Sequence, residues 1–301
     1  MLTVGNKSLV SAVITTYKRP PEIVERALKS IISQTYENIE IIIVDDSPAS
    51  YEHRDEVKQM VEKYDGVKYI QHETNQGACV ARNTGLANVK GEYIGYLDDD
   101  DEWNADKIEK QILKFDKSSN NTAIVTCRFL TLNENSGKKS IGEYQIFSGE
   151  VYEKLLTYGN FGGGASMPLM KTEALKSING FDTLLKAAQD FDVWVRMSQK
   201  YNFEYVDEPL VLYHWHDGEQ ISKNPKNKIQ GHERIIEKNK DVLEKNKNIF
   251  YARTMFLTSY YAMDGQIKKA ILVWLKCVKV KPFEFEKNLK CIYRIIKYRK
   301  K

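Results

Sequence analysis

An α/β fold, with a mainly parallel central sheet and helices on both faces, is what the first hundred residues predict, on three observations. Short runs rich in β-branched and aromatic residues recur at LVSAVITT, IEIIIVDD, VKYIQHE and GEYIGYL. Helical patterns fall between them, at PPEIVERALKSIISQT with Pro in the opening turn, YEHRDEVKQMVEKYD and GACVARNTGLANV. The strand runs are nearly continuous in apolar residues, as strands covered on both faces must be. Strand, helix and strand in repetition imply parallel strands joined by right-handed crossovers.

In such a sheet ligands bind at the carboxyl ends of the strands, and the polar departures from the pattern fall there. The first run ends in Thr15, Thr16, Tyr17, Lys18 and Arg19, the second in Asp45, Asp46 and Ser47, the fourth in Asp98 to Asp101. Three strands that deliver polar residues to one edge define a candidate site. Beyond it, TAIVTCRFLTL reads as a strand, KSIGEYQIF as its return, KTEALKSI as a short helix, QDFDVWVRMSQKY as a longer one and FEYVDEPLVLYHWH as one or two closing strands. From Asn224 the texture is helical, with Gly265 and Pro282 as punctuation, so residues 1–222 form the α/β domain and 223–301 a basic helical C-terminal region.

Bulk properties narrow the class. The 301 residues are 42% hydrophobic and 29% charged, as in an ordinary soluble globular protein. No run approaches the roughly 20 apolar residues of a membrane span, and the opening residues lack a secretory pattern. The four cysteines, Cys79, Cys127, Cys277 and Cys291, have neither zinc-site nor disulfide-framework spacing. These features predict a cytoplasmic chain with reduced thiols. Net charge is +4, yet residues 223–301 hold 21 Lys and Arg against 7 Asp and Glu, so an acidic body carries a basic tail.

The acidic run in GEYIGYLDDDDEW needs an explanation, because two like charges about 4 Å apart repel by roughly 4 kcal/mol at a protein surface. One reading is a solvated turn at the mouth of a helix running from Trp103 to Phe115. The other is a hard divalent cation, held by one or two carboxylates together with the phosphates of a substrate. Competing phosphate chemistries lack their signatures: there is no GxxxxGK[ST] loop, GNFGGGASM has neither the spacing nor the position of a dinucleotide loop, and no GxSxG elbow occurs.

Taken together and in order, six segments resemble those of family 2 glycosyltransferases of the GT-A fold. SAVITTYKRP resembles the family's first strand and nucleotide loop, IEIIIVDDSP the second with its base-reading Asp, and NQGACVARNTGL the Asn-x-Gly and Ala-Arg-Asn stretch. GEYIGYLDDDDEW resembles the strand that ends in the Asp-x-Asp metal motif, NGFDTLLKAAQDFDVWVRM the Gly-Phe-Asp and Glu-Asp segment, and LYHWHDGEQIS the closing strand with its His. The likeness covers roughly residues 8–222, and six ordered segments are far more specific than any one of them.

The resemblance implies roles. Thr15, Tyr17 and Asp46 would hold the base of a nucleotide, with Arg82, Asp98 and Asp99 completing the nucleotide site. Asp100 would meet a Mn²⁺ or Mg²⁺ ion bridging the two phosphates, although Asp99 stands where the family has a small residue, which leaves the metal-binding acid open among Asp98 to Asp100. His216 would be a second metal contact. Asp190 would be the general base of a single, stereochemistry-inverting displacement; Gln189 stands before it where the family commonly has Glu. The residues alone also allow Asp46 and Asp190 to be helix caps, His216 to be structural, and Gly162 to Gly164 to be a plain flexible loop. The donor implied is a nucleotide sugar, a UDP-sugar by resemblance, and the acceptor a glycan or lipid-linked glycan of surface polysaccharide synthesis. A non-catalytic binding module and a nucleotidyltransferase are the alternatives. The first is opposed by the joint retention of Asp46, Asp100 and Asp190, the second by the absence of a glycine- and lysine-rich first loop.

The last helix, KNLKCIYRIIKYRKK, sets Leu289, Ile292, Tyr293 and Ile296 at helical spacing beside Lys290, Arg294 and Lys297, the layout of an amphipathic surface helix. Such a segment gains about 1 kcal/mol per cation near an anionic leaflet. It predicts an anionic membrane surface as partner, at the inner face of the cell membrane; a basic helix packed on its own domain is the plain alternative. No nucleic acid is expected, since the body is acidic.

Overall fold

A computed structural model describes residues 8–142, 145–215 and 224–299. Strands and helices alternate through the first half: β1 (Val10–Thr16), α1 (Pro21–Ile32), β2 (Ile39–Asp45), α2 (Arg54–Val61), β3 (Val67–Gln71), α3 (Ala78–Asn88) and β4 (Tyr93–Asp98). Then follow β5 (Glu102–Trp103), α4 (Lys107–Asp116), β6 (Thr122–Asn133), β7 (Lys139–Ile141), α5 (Tyr152–Tyr158), β8 (Leu169–Lys171), α6 (Thr172–Ser177), α7 (Gln189–Ser198) and β9 (Asn202–Trp215). Five helices close the described chain: α8 (Pro225–Lys238), α9 (Lys240–Lys245), α10 (Lys247–Met263), α11 (Ile267–Val280) and α12 (Phe285–Arg299).

The chain divides into two compact units. The first comprises Met1–Val151, Asn160–Thr183 and Val193–Asp217; the second Tyr152–Gly159, Leu184–Asp192 and Gly218–Lys301.

The first unit is built on one sheet of order β3-β2-β1-β4-β8-β6-β9-β5, with β7 paired to β6. The strands β3, β2, β1 and β4 are parallel, as the alternating pattern predicts. Val10, Ala12, Val13 and Ile14 of β1 are fully buried, because helices cover both faces of the central strands. Beyond β4 the sheet is mixed: β8 runs antiparallel to both β4 and β6, whereas β6 and β9 are parallel to each other. FEYVDEPLVLYHW forms a single long strand, β9, whose pairing with β6 shifts register near Arg128.

The helix expected from Trp103 starts later, at Lys107, and Trp103 belongs instead to β5, paired with β9. Long-range bonds explain the difference. The Trp103 backbone N–H donates to Ser30 Oγ at 3.0 Å and its indole Nε1–H to the Ser166 carbonyl at 2.8 Å. The buried Lys107 amine stands 4.0 Å from the centre of the indole. The return strand read in KSIGEYQIF is confined to Lys139–Ile141 among the described residues, with Glu143 and Tyr144 outside them.

In the second unit, α10 packs against α8, α11 and α12 around a core that includes Leu257, Tyr261, Ala262, Ala270, Cys291 and Ile295. Asn224 and Asn246 cap α8 and α10 with their side-chain oxygens. Gly231 in α8 lies so close to the Ala187 carbonyl that a Cβ there would stand 2.5 Å from the oxygen. Only glycine lets α8 rest against the segment leading to Asp190.

Candidate active site

Backbone register brings the predicted edge together. Thr16 of β1 pairs with Asp45 of β2, and Thr15 with Asp98 of β4, so the polar ends of three adjacent strands share one border of the first unit. The loop after β1 is tied to the loop after β2 by the Lys18 backbone N–H, which donates to Ser47 Oγ at 2.8 Å with Lys18 in the left-handed region at φ 50°. Tyr17 is exposed there.

Asp46 is buried at the start of α3. Its Oδ1 accepts from the Gln76 backbone N–H at 2.8 Å and faces His72 Nδ1 at 2.8 Å, while Oδ2 accepts from the Gly77 N–H at 2.7 Å. The N-terminal end of a helix is where a carboxylate is stabilised. Gly77 makes this geometry accessible, its φ of 90° turning the chain into α3.

The acidic run is sorted one residue at a time. Asp98 accepts from Arg82 Nη2 at 2.8 Å; Arg82 is buried and lies over the Phe181 ring. Arg19 donates to Asp99 from Nε at 2.9 Å and to Asp100 from Nη2 at 2.5 Å. Arg26 caps the Asp100 carbonyl at 2.9 Å. Asp101 turns inward, accepting from Ser166 Oγ at 2.6 Å and from the His214 backbone N–H at 3.4 Å. Glu102 is held by His214 Nε2 at 2.8 Å, whose Nδ1 meets Glu134 at 2.8 Å. The acids therefore alternate: the side chains of Asp98 and Asp100 keep 37% and 22% exposure, Asp99 only 9%.

Burial pushes the Asp99 carboxyl up to about 7, with the Arg19 charge pulling against it and Asp100 adding to the rise. Burial, reinforced by Asp98 and Asp100, drives Asp101 well above the usual carboxylate range. Among the described residues, no group of three or more His, Cys, Asp or Glu side chains is placed to hold a metal ion by itself. The donor chemistry fits a hard cation whose other oxygens come from a substrate's phosphates, because Asp98 and Asp100 present carboxylate oxygens at the border where ligands bind.

Thus Thr15, Tyr17, Asp46, Arg82, Asp98, Asp99 and Asp100 share the carboxyl edge of the first unit. Asp190 stands half-buried in the first turn of α7, within the second unit, and follows Ala188, which holds φ at 59°. His216 lies outside the described residues. Trp194, Val195 and Met197 are packing residues, all buried. The glycines at 162 and 163 serve Trp194: its indole N–H donates to the Gly163 carbonyl at 3.1 Å, and a Cβ at Gly162 would stand 3.0 Å from its ring. Sequence reasoning missed Arg19, Ser166 and His214 as partners of the acids. Arg19 left a signal, a cation at the end of a strand facing the acidic run; Ser166 and His214 left none.

Residues 11–178 match the model of glycosyl transferase family 2. Over 261 residues the chain is 31% identical to the protein of Escherichia coli K12 named as the colanic acid biosynthesis glycosyl transferase WcaA, covering 78% of this chain and 83% of that one. It is 32% identical over 206 residues to RC0461 of Rickettsia conorii, named as an uncharacterized glycosyltransferase, covering 68% of this chain and spanning about a third, 32%, of the relative. The fold matches the crystal structure of S. aureus TarS 1–349 in complex with UDP-GlcNAc, with a TM-score of 0.62 at 16% identity over 96% of this chain and 89% of that one. The fold is thus that of the GT-A class of sugar-transferring enzymes. The chain belongs to glycosyl transferase family 2.

Proposed function

We propose that the protein transfers a sugar from a nucleoside-diphosphate donor, a UDP-sugar, to a hydroxyl of a glycan or lipid-linked glycan acceptor in surface-polysaccharide synthesis, with inversion at the anomeric carbon. The observation that carries this reading is the carboxyl edge, where Asp46, Asp98 and Asp100 stand at adjacent strand ends, with Arg19 from the loop after β1 and Arg82 from α3 reaching the acids of the run. The UDP-GlcNAc bound by TarS supports the donor class, and the name of WcaA supports the pathway class. Asp46 orients the base, and Asp98 with Arg82 fixes the ribose side. Asp190 takes the proton of the acceptor hydroxyl as that oxygen attacks the anomeric carbon and the bond to the diphosphate breaks. A Mn²⁺ or Mg²⁺ ion at Asp100, with His216 as second contact, would supply charge stabilisation for the departing diphosphate. The work would take place at the cytoplasmic face of the membrane, where a lipid-linked acceptor resides.

The test is calorimetric titration of UDP, GDP, CDP and dTDP into the protein, with and without Mn²⁺, on the natural chain, Asp100→Asn and Asp190→Asn. UDP binding that needs both Mn²⁺ and Asp100, retained in Asp190→Asn while transfer drops by about 10²–10⁴-fold, is the expected result. Absence of metal-dependent binding of any nucleotide would overturn it.

A further inference from the structure

The core of the second unit leaves a row of large apolar side chains on its outside. On α12 the buried residues are Cys291 and Ile295, whereas Leu289 (64% exposed), Tyr293 (66%) and Ile296 follow one another at helical spacing on a different face. On α11 Ala270 and Cys277 are buried, and Leu272 (62%) and Leu275 are exposed in the same way. Phe283 (82%) and Phe285 stand exposed where the two helices join, edge to face with each other. Both helices pack against α10 and against each other, so these stripes are not core positions awaiting a neighbour within the unit.

Cations are threaded through the stripes. Lys268, Lys269, Lys276 and Lys279 lie on α11, which contains no acid. Lys290, Arg294 and Lys297 flank the stripe of α12, and a groove along that helix is lined by Leu289, Lys290, Tyr293, Arg294, Lys297 and Tyr298. The one acid of α12, Glu286, is paired with Lys290 at 2.6 Å. This composition chooses among occupants. A second copy of the chain would set lysine rows against lysine rows. A soluble acidic partner would answer the lysines and leave Phe283, Leu289 and Tyr293 without a role. An anionic bilayer answers both, with acyl chains for the apolar stripes and lipid phosphates for the cations.

We propose that this face of the second unit docks on an anionic lipid bilayer, with Phe283, Phe285, Leu289, Tyr293 and Ile296 entering the interface and the flanking lysines seated among the headgroups. Docking requires neither donor nor acceptor, so it stands or falls separately from the proposed reaction.

The test is flotation of the full chain with vesicles of phosphatidylcholine alone and of phosphatidylcholine mixed with phosphatidylglycerol, at low and high salt. The natural protein should float with the mixed vesicles only, and less at high salt. Phe283→Ser/Leu289→Ser/Tyr293→Ser and, separately, Lys290→Glu/Lys297→Glu should each cut the bound fraction about tenfold or more. All five positions are exposed, and unchanged circular dichroism would exclude misfolding as the cause. Failure of the natural protein to float, or flotation of the triple variant at the natural level, overturns the proposal. So does a dimer seen by sedimentation that the triple variant dissolves without any vesicle binding, which would assign the face to a second copy.

Discussion

At the carboxyl edge of the first unit, each acid from Asp98 to Glu102 has an assigned partner: Arg82 for Asp98, Arg19 for Asp99 and Asp100, Ser166 for Asp101, His214 for Glu102. Among its described residues the second unit buries a single cation, Arg253, and answers it with rings and no carboxylate. Arg253 is 1% exposed, lies 4.6 Å from the centre of Phe256 and 5.1 Å from that of Phe191, and its Nε and Nη2 have no hydrogen-bond partner among the described residues. Beside it His232 stands against Phe191, Phe256 and Tyr260, its imidazole pushed down to about 3 by burial, with Arg253 and Lys228 adding to the effect. Paired charges can be re-paired when an anionic ligand arrives, whereas charges set on rings are fixed in place by shape. The first arrangement suits a binding edge and the second a packing interior.

The largest effect is expected at Arg82. Arg82→Met removes the charge-assisted bond to Asp98, worth about 1.5–3 kcal/mol, so donor turnover measured as kcat/KM should fall roughly 10–100-fold. Stability should move little, because water reaches the freed Asp98 carboxylate. Arg253→Met should act in the opposite sense. Replacing an unpaired buried charge with an apolar side chain of similar length is expected to leave stability unchanged or raise it by about 1–3 kcal/mol in urea unfolding, and a loss of that size would show that the rings hold the cation better than supposed.

Acid sharpens the contrast further. His232 stays neutral in the folded chain while the unfolded chain takes up a proton below about 6.5, so the unfolded state binds more protons and stability falls as pH drops from 6.5 towards 3. The slope from this residue approaches about 1.4 kcal/mol per pH unit. His232→Phe should flatten it, leaving roughly 2 kcal/mol less loss between pH 6.5 and 5 in matched thermal melts. The smallest effect is expected at Ala188, a non-glycine residue at φ 59° ahead of α7. Ala188→Gly relieves a left-handed penalty of about 1–2 kcal/mol and adds a chain-entropy cost of about 0.5–1 kcal/mol, for a net gain near 0.5 kcal/mol.

Much of the first unit was legible because its signals are local. Apolar runs gave β1 to β4, and the polar residues that end them gave the shared edge. What escaped depends on contacts between distant parts of the chain. The three residues of β8 are too short to carry a period, yet they place an antiparallel strand between β4 and β6. Trp103 continues a helical pattern by composition, and its pairing with β9 together with its bonds to Ser30 and Ser166 holds it in a strand. Of the partners of the acids, Arg82 was legible through the family pattern. Ser166 and His214 come from segments more than sixty residues away in sequence from Asp101, which no spacing rule reaches.

Asp46 is nearly saturated as a hydrogen-bond acceptor. A carboxylate offers about four acceptor directions, and three are committed here, two on Oδ1 to His72 and Gln76 and one on Oδ2 to Gly77. A single direction is left, on Oδ2. Were Asp46 to face the base as proposed, that direction would accept from one ring N–H, which uracil, thymine and guanine present, and would have nothing to receive from the Watson–Crick ring nitrogen of cytosine or adenine, itself an acceptor. The partners Asp46 already holds would then turn away cytosine and adenine, and leave the choice among the other bases to the rest of the edge.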